Sequence, residues 1–440
     1  MSTKQLGLVF FPAFDWCITP THPERQERLL YTRDQIVEEG LLDHPNIREY
    51  KPRLASIQDA NRVHIGVPNL ASLITDAHLV SAGGAITAAE AVMRREVDRA
   101  FALVRPPGHH AMRVVHGTRG FCTINIEAIM VEYLRRHYGV GKVAIVDTDV
   151  HHGDGTQDIF YHDPDTLYIS FHQDGRTLYP GSGFPDEMGS PPAYGSTVNI
   201  PLPPGTSDEG IHYVLDNLIL PILEDFRPEL VINSAGQDNH YSDPLASMAF
   251  TAQGYARLAD KLKADIAVLE GGYSIEAALP YVNTGIILAM AGLDYSRVVE
   301  PDLHRRYRRQ SDSIMAYIKQ LVASWRDKWA RREQLRREAI AKAGEYWSRH
   351  KNIYYDDSGI NEEQYETVRI CPHCRGFMQI VTRAAGWSLR PQSAFATVVW
   401  RDSCPKCRQL AYDAAAAAKR ELRYQYYIVQ DLQQDTLEFI

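Results

Sequence analysis

The stretch Asp147-Thr-Asp-Val-His-His-Gly-Asp-Gly155 directly follows the apolar run Val143-Ala-Ile-Val146. A short β-branched run ending in a polar cluster is the pattern of a buried parallel strand whose C-terminal end carries chemistry. Carboxylates and imidazoles packed this densely are costly to bury unless a cation or reciprocal hydrogen bonds compensate them. On an extended segment Asp149 and His151, two apart, project to the same side. A carboxylate oxygen and an imidazole nitrogen on one side make half of a divalent-metal site, with zinc the leading candidate. The competing reading is a solvated acidic turn.

Outward from this stretch, further apolar runs predict strands at Leu6–Phe11, Arg99–Val104, Leu167–Phe171, Leu230–Asn233 and Ile266–Leu269. Helical segments are predicted between them at Ala77–Met93, Thr123–Tyr138, Ile211–Phe226 and Ala249–Lys263. Strand and helix alternating in this way predict an α/β fold on a mostly parallel sheet flanked by helices. Ligands of such sheets collect beyond the carboxyl ends of the strands. Polar clusters stand at those ends: Arg105-Pro-Pro-Gly-His-His-Ala111, the Asp/His stretch, Ser170-Phe-His172, Ser234-Ala-Gly-Gln-Asp238 and Glu270-Gly-Gly-Tyr273.

With these motifs, together with Gly120–Asn125, Pro180–Gly183, Glu187 and Asp243-Pro-Leu245, the chain resembles the histone deacetylase family, in its class II and bacterial acetylpolyamine amidohydrolase branch. His22–Arg25 and Arg62–His64 fit the family's early loops more weakly. The resemblance covers roughly residues 5–300 and implies the arginase/deacetylase-like fold. It implies Asp149, His151 and Asp238 as ligands of a catalytic zinc. His110 would move the proton from the attacking water to the leaving amine, with His109 tuning the charge of the site. Asp154 and Asp147 would orient His110 and His109. Tyr273 would stabilise the oxyanion. Phe121, Tyr179, Gly271 and Gly272 would line the substrate tunnel. A K+ or Na+ ion would sit on Asp147, Asp149, His151, Ser170 and Phe171. His152 is expected to point away into the sheet. Two departures from the family pattern concern the pocket surroundings: Gln237 beside Asp238, and Gly189-Ser-Pro-Pro-Ala-Tyr-Gly195 in place of a glycine-rich run.

At 440 residues and 45% hydrophobic, the chain can bury a large core and more than one domain. A net charge of −8 gives no global case for nucleic acid or an anionic membrane. Leu6–Phe11 is too short to span a membrane and reads as a first strand, so a soluble, cytoplasmic protein is expected. Residues 1–302 are read as the catalytic domain. The basic segment 303–351, with Ile314, Tyr317, Ile318, Leu321, Trp325 and Trp329 at helical spacing, is read as one long amphipathic helix that packs on the domain or a second subunit. Its charge is read as a solvated face, with a nucleic-acid or acidic-partner surface as the competing reading. Cys371-Pro-His-Cys374 and Cys404-Pro-Lys-Cys407 predict a structural zinc in a four-cysteine ribbon over 365–412, on hairpin knuckles and too small to bury much core. Residues 413–440 are read as a C-terminal helix that could join copies of the chain.

The leading functional expectation is a zinc amidohydrolase that removes acyl groups from lysine side chains or lysine-like small amines. Acetylpolyamine hydrolysis is a second reading, which would want acidic groups at the tunnel rim. A ureohydrolase of the arginase-like fold fits the His-His pair and Gly-Gly-Tyr less well. A catalytically silent acyl-lysine-binding scaffold is the reading from outside the enzyme class.

Overall fold

A computed structural model describes residues 4–306, 308–387 and 390–440. The first ten strands are β1 (Leu6–Phe11), β2 (Ile47–Tyr50), β3 (Ile65–Gly66), β4 (Arg99–Val104), β5 (Val114–Val115), β6 (Val143–Asp147), β7 (Thr166–Gln173), β8 (Thr197–Leu202), β9 (Leu230–Ala235) and β10 (Ile266–Leu269). Eight of them form one sheet in the order β2-β1-β4-β10-β9-β6-β7-β8, parallel at every pairing. β3 and β5 make a small separate ladder.

Both faces of the large sheet are covered. Ala144 and Val146 of β6 join the core on one side, with the helices Asp208–Val214, Ala252–Leu262 and Leu279–Met290. Val143 and Ile145 join the core on the other, with the helices Asp76–Met93 and Ile126–Tyr138. Two-sided burial is why these strands read as unbroken apolar runs. The two unexpected strands, β2 and β8, are the sheet's edges. β8 contains Pro201, which an edge tolerates because one side of its backbone needs no partner.

The motif-bearing strands β4, β10, β9, β6 and β7 are contiguous. Asp147 pairs in register with Ser170 and Ser234, and Leu269 with Ala235. Asp147, Ser170, Ser234, Ala235 and Leu269 therefore stand at nearly one level, although Ser170-Phe-His172 lies within β7 rather than beyond its end.

Beyond residue 300 the elements differ from the expectation. In place of one helix over 303–351 there are helices Leu303–Arg306, Asp312–Ala330 and Arg332–Ala343, and then a strand, β11 (Tyr346–Tyr355). Gly344, at φ +67°, ends the last helix in a conformation that favours glycine. Most of the expected apolar stripe faces the N-terminal unit, but Tyr317 does not: Ile318 and Trp325 are buried while Tyr317 is exposed, and Trp325 Nε1 donates to the Asn199 carbonyl at 2.7 Å.

β12 (Ile360–Arg369), β13 (Phe377–Gly386), β14 (Gln392–Val399), β15 (Tyr426–Asp431) and β16 (Thr436–Phe439) continue β11 into a second, six-stranded sheet. It is antiparallel except for β14–β15, which are joined through the helix Pro405–Glu421. The tail is thus not a helix over 413–440, because Leu422 turns left-handed and two strands follow. Nor is the four-cysteine segment a coreless ribbon. Val368, Met378, Ile380, Val398 and Ile428 of this sheet pack with Ile65, Val67 and Val114 of the N-terminal unit in one buried cluster.

Ion pairs cross the same boundary: Arg349 with Asp158 at 2.7 Å, Arg375 with Asp163 at 2.8 Å and Arg62 with Asp435 at 2.6 Å. No helix among the described residues is long and apolar enough to cross a membrane.

Candidate functional site

Asp149 and His151 follow β6, and Asp238 follows the adjacent β9; one donor atom from each lies within 4.8 Å of the others. His151 Nδ1 is 3.1 Å from Asp149 Oδ1 and 3.0 Å from Asp238 Oδ2. A tetrahedral zinc with bonds of 2.0–2.1 Å has ligand–ligand edges of about 3.3 Å, so this set fits the ion with little adjustment. Main-chain groups aim the carboxylates: Gly271 N–H donates to Asp149 Oδ2 at 2.7 Å, and Val150 N–H to Asp238 Oδ1 at 2.8 Å. A Cβ on Gly236 or Gly271 would stand 2.1 or 2.5 Å from Asp149 Oδ2, so neither position admits a side chain. Burial and the neighbouring charge of Asp149 push Asp238 up to about 6. Asp149 itself is held below the ordinary carboxylate range by His109 and His151, against the opposing effect of burial. Two buried carboxylates crowded in this way call for a cation.

His109 and His110, in the loop after β4, stand beside the donor set with ring centres 4.1 Å apart. His109 Nδ1 lies 3.2 Å from Asp147 Oδ2, and His110 Nδ1 lies 2.8 Å from Asp154 Oδ1. Their protonation diverges. Burial and the charge of His109 lower His110 to about 3. His109 is raised well above the usual range by Asp149 and Asp147, although burial opposes this. Arg119, which the sequence reading did not single out, bonds Asp154 at 2.7–2.8 Å and lies 5.3 Å over the Tyr179 ring. Its spacing follows no motif; only the fold brings it to Asp154.

Tyr273 follows Gly272, whose φ of +120° is open to glycine alone, and its N–H donates to Asp243 Oδ2 at 2.7 Å. Its ring meets Phe121 edge-on at 5.4 Å, while Tyr179 stands 5.1 Å from the His110 ring. Beneath this turn lies a second residue that the sequence reading did not single out, Arg28. Arg28 donates to the Gly272 carbonyl at 2.7 Å and pairs with buried Glu24 at 2.7 Å, which pairs in turn with Arg105 at 2.7 Å.

Asp147 accepts from Asp149 N–H at 3.1 Å and from the Tyr168 hydroxyl at 2.8 Å. On β7, Ser170 Oγ is 2.8 Å from His172 Nδ1 and Phe171 is fully buried. His152 turns away from the donor set to Ser182 and Gln157, at 2.8 and 3.1 Å. Gln237 Nε2 donates to Asn283 of the helix Leu279–Met290, while its Oε1 is buried without a hydrogen-bond partner among the described residues. The Gly189–Gly195 segment forms a seat for the C-terminal helices: a Cβ on Gly195 would lie 3.0 Å from Arg332 Cβ.

Far along the chain, the sulfurs of Cys371, Cys374, Cys404 and Cys407 lie within 4.8 Å of one another. Cys371 and Cys374 occupy the β12–β13 turn, as a knuckle does. Cys404 caps the helix Pro405–Glu421 and Cys407 sits in its first turn, so the second pair is not on a hairpin. Arg369 donates to Cys407 Sγ at 2.8 Å and Gly376 N–H to Cys374 Sγ at 3.3 Å, contacts that suit thiolates. Four sulfurs in this arrangement fit a closed zinc tetrahedron.

Residues 69–289 match the family model described as the histone deacetylase domain. A probable deacetylase of Archaeoglobus fulgidus is 46% identical over 330 residues, 68% of this chain and 90% of that protein. An acetylpolyamine amidohydrolase of Burkholderia pseudomallei is 41% identical over 202 residues, 45% of this chain and 58% of that protein. Among solved structures, the crystal structure of the HDA15 HD domain superposes with a TM-score of 0.64 at 27% identity, covering 78% of this chain and 98% of that one. The six-stranded C-terminal sheet lies beyond the residues of the family match.

Proposed function

The chain belongs to the histone deacetylase family of deacetylases and amidohydrolases, hydrolases of linear amides, and from that premise we propose that it deacylates lysine side chains or small lysine-like amines. The observation that carries the proposal is the convergence of Asp149, His151 and Asp238 beside His109 and His110.

Zinc bound by Asp149, His151 and Asp238 would polarise the scissile carbonyl and make water a competent nucleophile near neutral pH. His110 is neutral at pH 7 and its Nδ1 faces Asp154, which leaves Nε2 to accept a proton from the attacking water and return it to the departing amine. Arg119 keeps Asp154 ionised and fixed in orientation. His109, whose Nδ1 faces Asp147, would tune the charge of the site as negative charge develops on the substrate. Tyr273 donates its hydroxyl to the oxyanion. Phe121 and Tyr179 flank the acyl-lysine methylenes, with Gly271 and Gly272 admitting the acyl end. A monovalent cation is assigned to Asp147, Asp149, His151, Ser170 and Phe171, supported by the burial of all five and the in-register pairing of Asp147 with Ser170. The four cysteines are assigned a structural zinc.

A second reading, hydrolysis of small acylated polyamines, is favoured by Asp356 and Asp357. These carboxylates lie against Tyr179 and Phe121, where a distal ammonium would pass.

The test is turnover of an acetyl-lysine peptide and of N-acetylputrescine by the full-length protein. Tyr273→Phe is expected to lower kcat by about 100- to 1,000-fold on whichever is hydrolysed. Zinc-loaded protein that hydrolyses neither, yet binds the peptide, would make it a silent binder.

A further inference from the structure

The turn between β11 and β12, residues 356–359, belongs to the C-terminal sheet, yet its side chains hold a loop more than 200 positions earlier in the chain. Ser358 Oγ accepts from Thr118 N–H at 2.8 Å, Asp356 Oδ1 from Gly120 N–H at 3.0 Å and Asp357 Oδ2 from Phe121 N–H at 2.7 Å. Asp356 Oδ1 also accepts from the Tyr179 hydroxyl at 3.3 Å. The other oxygen of Asp357 lies 3.6 Å from His22 Nε2, and the His22 ring packs edge-on against Phe121 at 4.3 Å.

One turn therefore grips both candidate walls of the substrate channel, Phe121 by its main chain and Tyr179 by its hydroxyl. The grip has work to do. Gly120 and Phe121 stand at φ +53° and +70°. A phenylalanine stays in this region only where its surroundings over-determine it. The same short loop carries Arg119 to Asp154. The turn is itself anchored, since the Tyr355 hydroxyl bonds the Val114 carbonyl at 2.9 Å and Glu362 at 2.8 Å. Met112 packs with Ile353, Tyr355 and Ile360 directly behind it.

We propose that Asp356, Asp357 and Ser358 are positioning residues of the active site, supplied in cis by the C-terminal sheet, and that the channel is incomplete without them. This rests on the functional reading above. It makes the appended sheet part of the enzyme's substrate-binding apparatus rather than a separate module.

Steady-state kinetics of the full-length, zinc-loaded protein on an acetyl-lysine peptide test it, with Asp356→Ala, Asp357→Ala and Ser358→Ala beside Asp356→Asn and Asp357→Asn. Each Asp→Ala change removes an acceptor that fixes a wall. It is expected to raise KM about tenfold, with kcat altered less than about threefold and the melting temperature unchanged. The asparagines keep an acceptor oxygen and are expected to return KM to within about threefold of the parent value. Ser358→Ala removes one acceptor and no charge, and is expected to raise KM about threefold.

Alanine variants with the parent KM would overturn the proposal. So would alanine and asparagine variants equally impaired together with a lowered melting temperature, since that marks a purely structural role. If the parent protein hydrolyses no acyl amine, the functional reading fails instead. The same variants are then assayed for affinity to a linear alkyl hydroxamate, where a tenfold loss in the alanine forms alone supports positioning and unchanged affinity overturns it.

Discussion

The Asp149–His151–Asp238 group and the four cysteines both gather their donor atoms within 4.8 Å, yet they are built for different ends. The first offers three oxygen and nitrogen donors, all buried, with two imidazoles beside them and the Tyr179 ring against His110. Three ligands leave a coordination position for substrate or water. The second offers four sulfurs at the corner of a sheet, and a complete tetrahedron leaves nothing open. Equal clustering of donors says only that an ion fits; donor type, donor number and what stands beside them say what the ion is for.

Substitution should separate the two centres most sharply. Asp238→Ala is expected to lower kcat/KM by about three orders of magnitude, ~4 kcal/mol of transition-state stabilisation, while the C-terminal sheet melts as before. Cys407→Ser is expected to destabilise the C-terminal sheet by several kcal/mol, read by calorimetry, and to impair turnover far less than Asp238→Ala. If Cys407→Ser proved the more damaging to turnover, the division of labour would be wrong.

Arg119→Ala sharpens the comparison within the first region. Loss of the cation that orients Asp154 is expected to reduce kcat/KM by about 10- to 100-fold, with both zinc ions retained.

The smallest expected effect is acid sensitivity. His64 is buried and neutral, lowered to about 3 chiefly by burial, with Nδ1 on the Met112 carbonyl at 2.8 Å and Nε2 accepting from Asn125 N–H at 2.8 Å. Below pH 6.5 the unfolded chain takes up a proton that the folded chain refuses, so stability is full above pH 6.5 and falls as pH drops toward 3. Denaturant unfolding at pH 5 is expected to show ~2 kcal/mol less stability from this ring than at pH 7.5, a difference that His64→Gln removes.

The same contrast explains what could be read in the sequence. β6 and β10 are apolar on both faces, and the clusters around their ends are dense in residue types that ligate metals, so the strands and the candidate site residues stood out together. β12 was not. Its inward face is Ile360, Glu362, Gln364, Glu366 and Val368, largely polar, because Glu366 pairs with Arg349 and Lys351 of the neighbouring β11, which also reach Asp158 across the boundary, and Glu362 accepts from Tyr355 and Thr382. Alternation of hydrophobicity cannot reveal a strand whose buried side is charged. The cysteine spacing announced a metal site but not that its second pair opens a helix. Arg119 and the Asp356–Ser358 turn carry no local signature at all, since each acts on residues remote in sequence.

The central claim is tested most directly by zinc content measured together with X-ray absorption at the zinc edge. The expected result is two zinc ions per chain, one in an all-sulfur environment and one in nitrogen and oxygen, the latter alone lost in Asp238→Ala. A single zinc per chain with only sulfur neighbours, unchanged by Asp238→Ala, would contradict it.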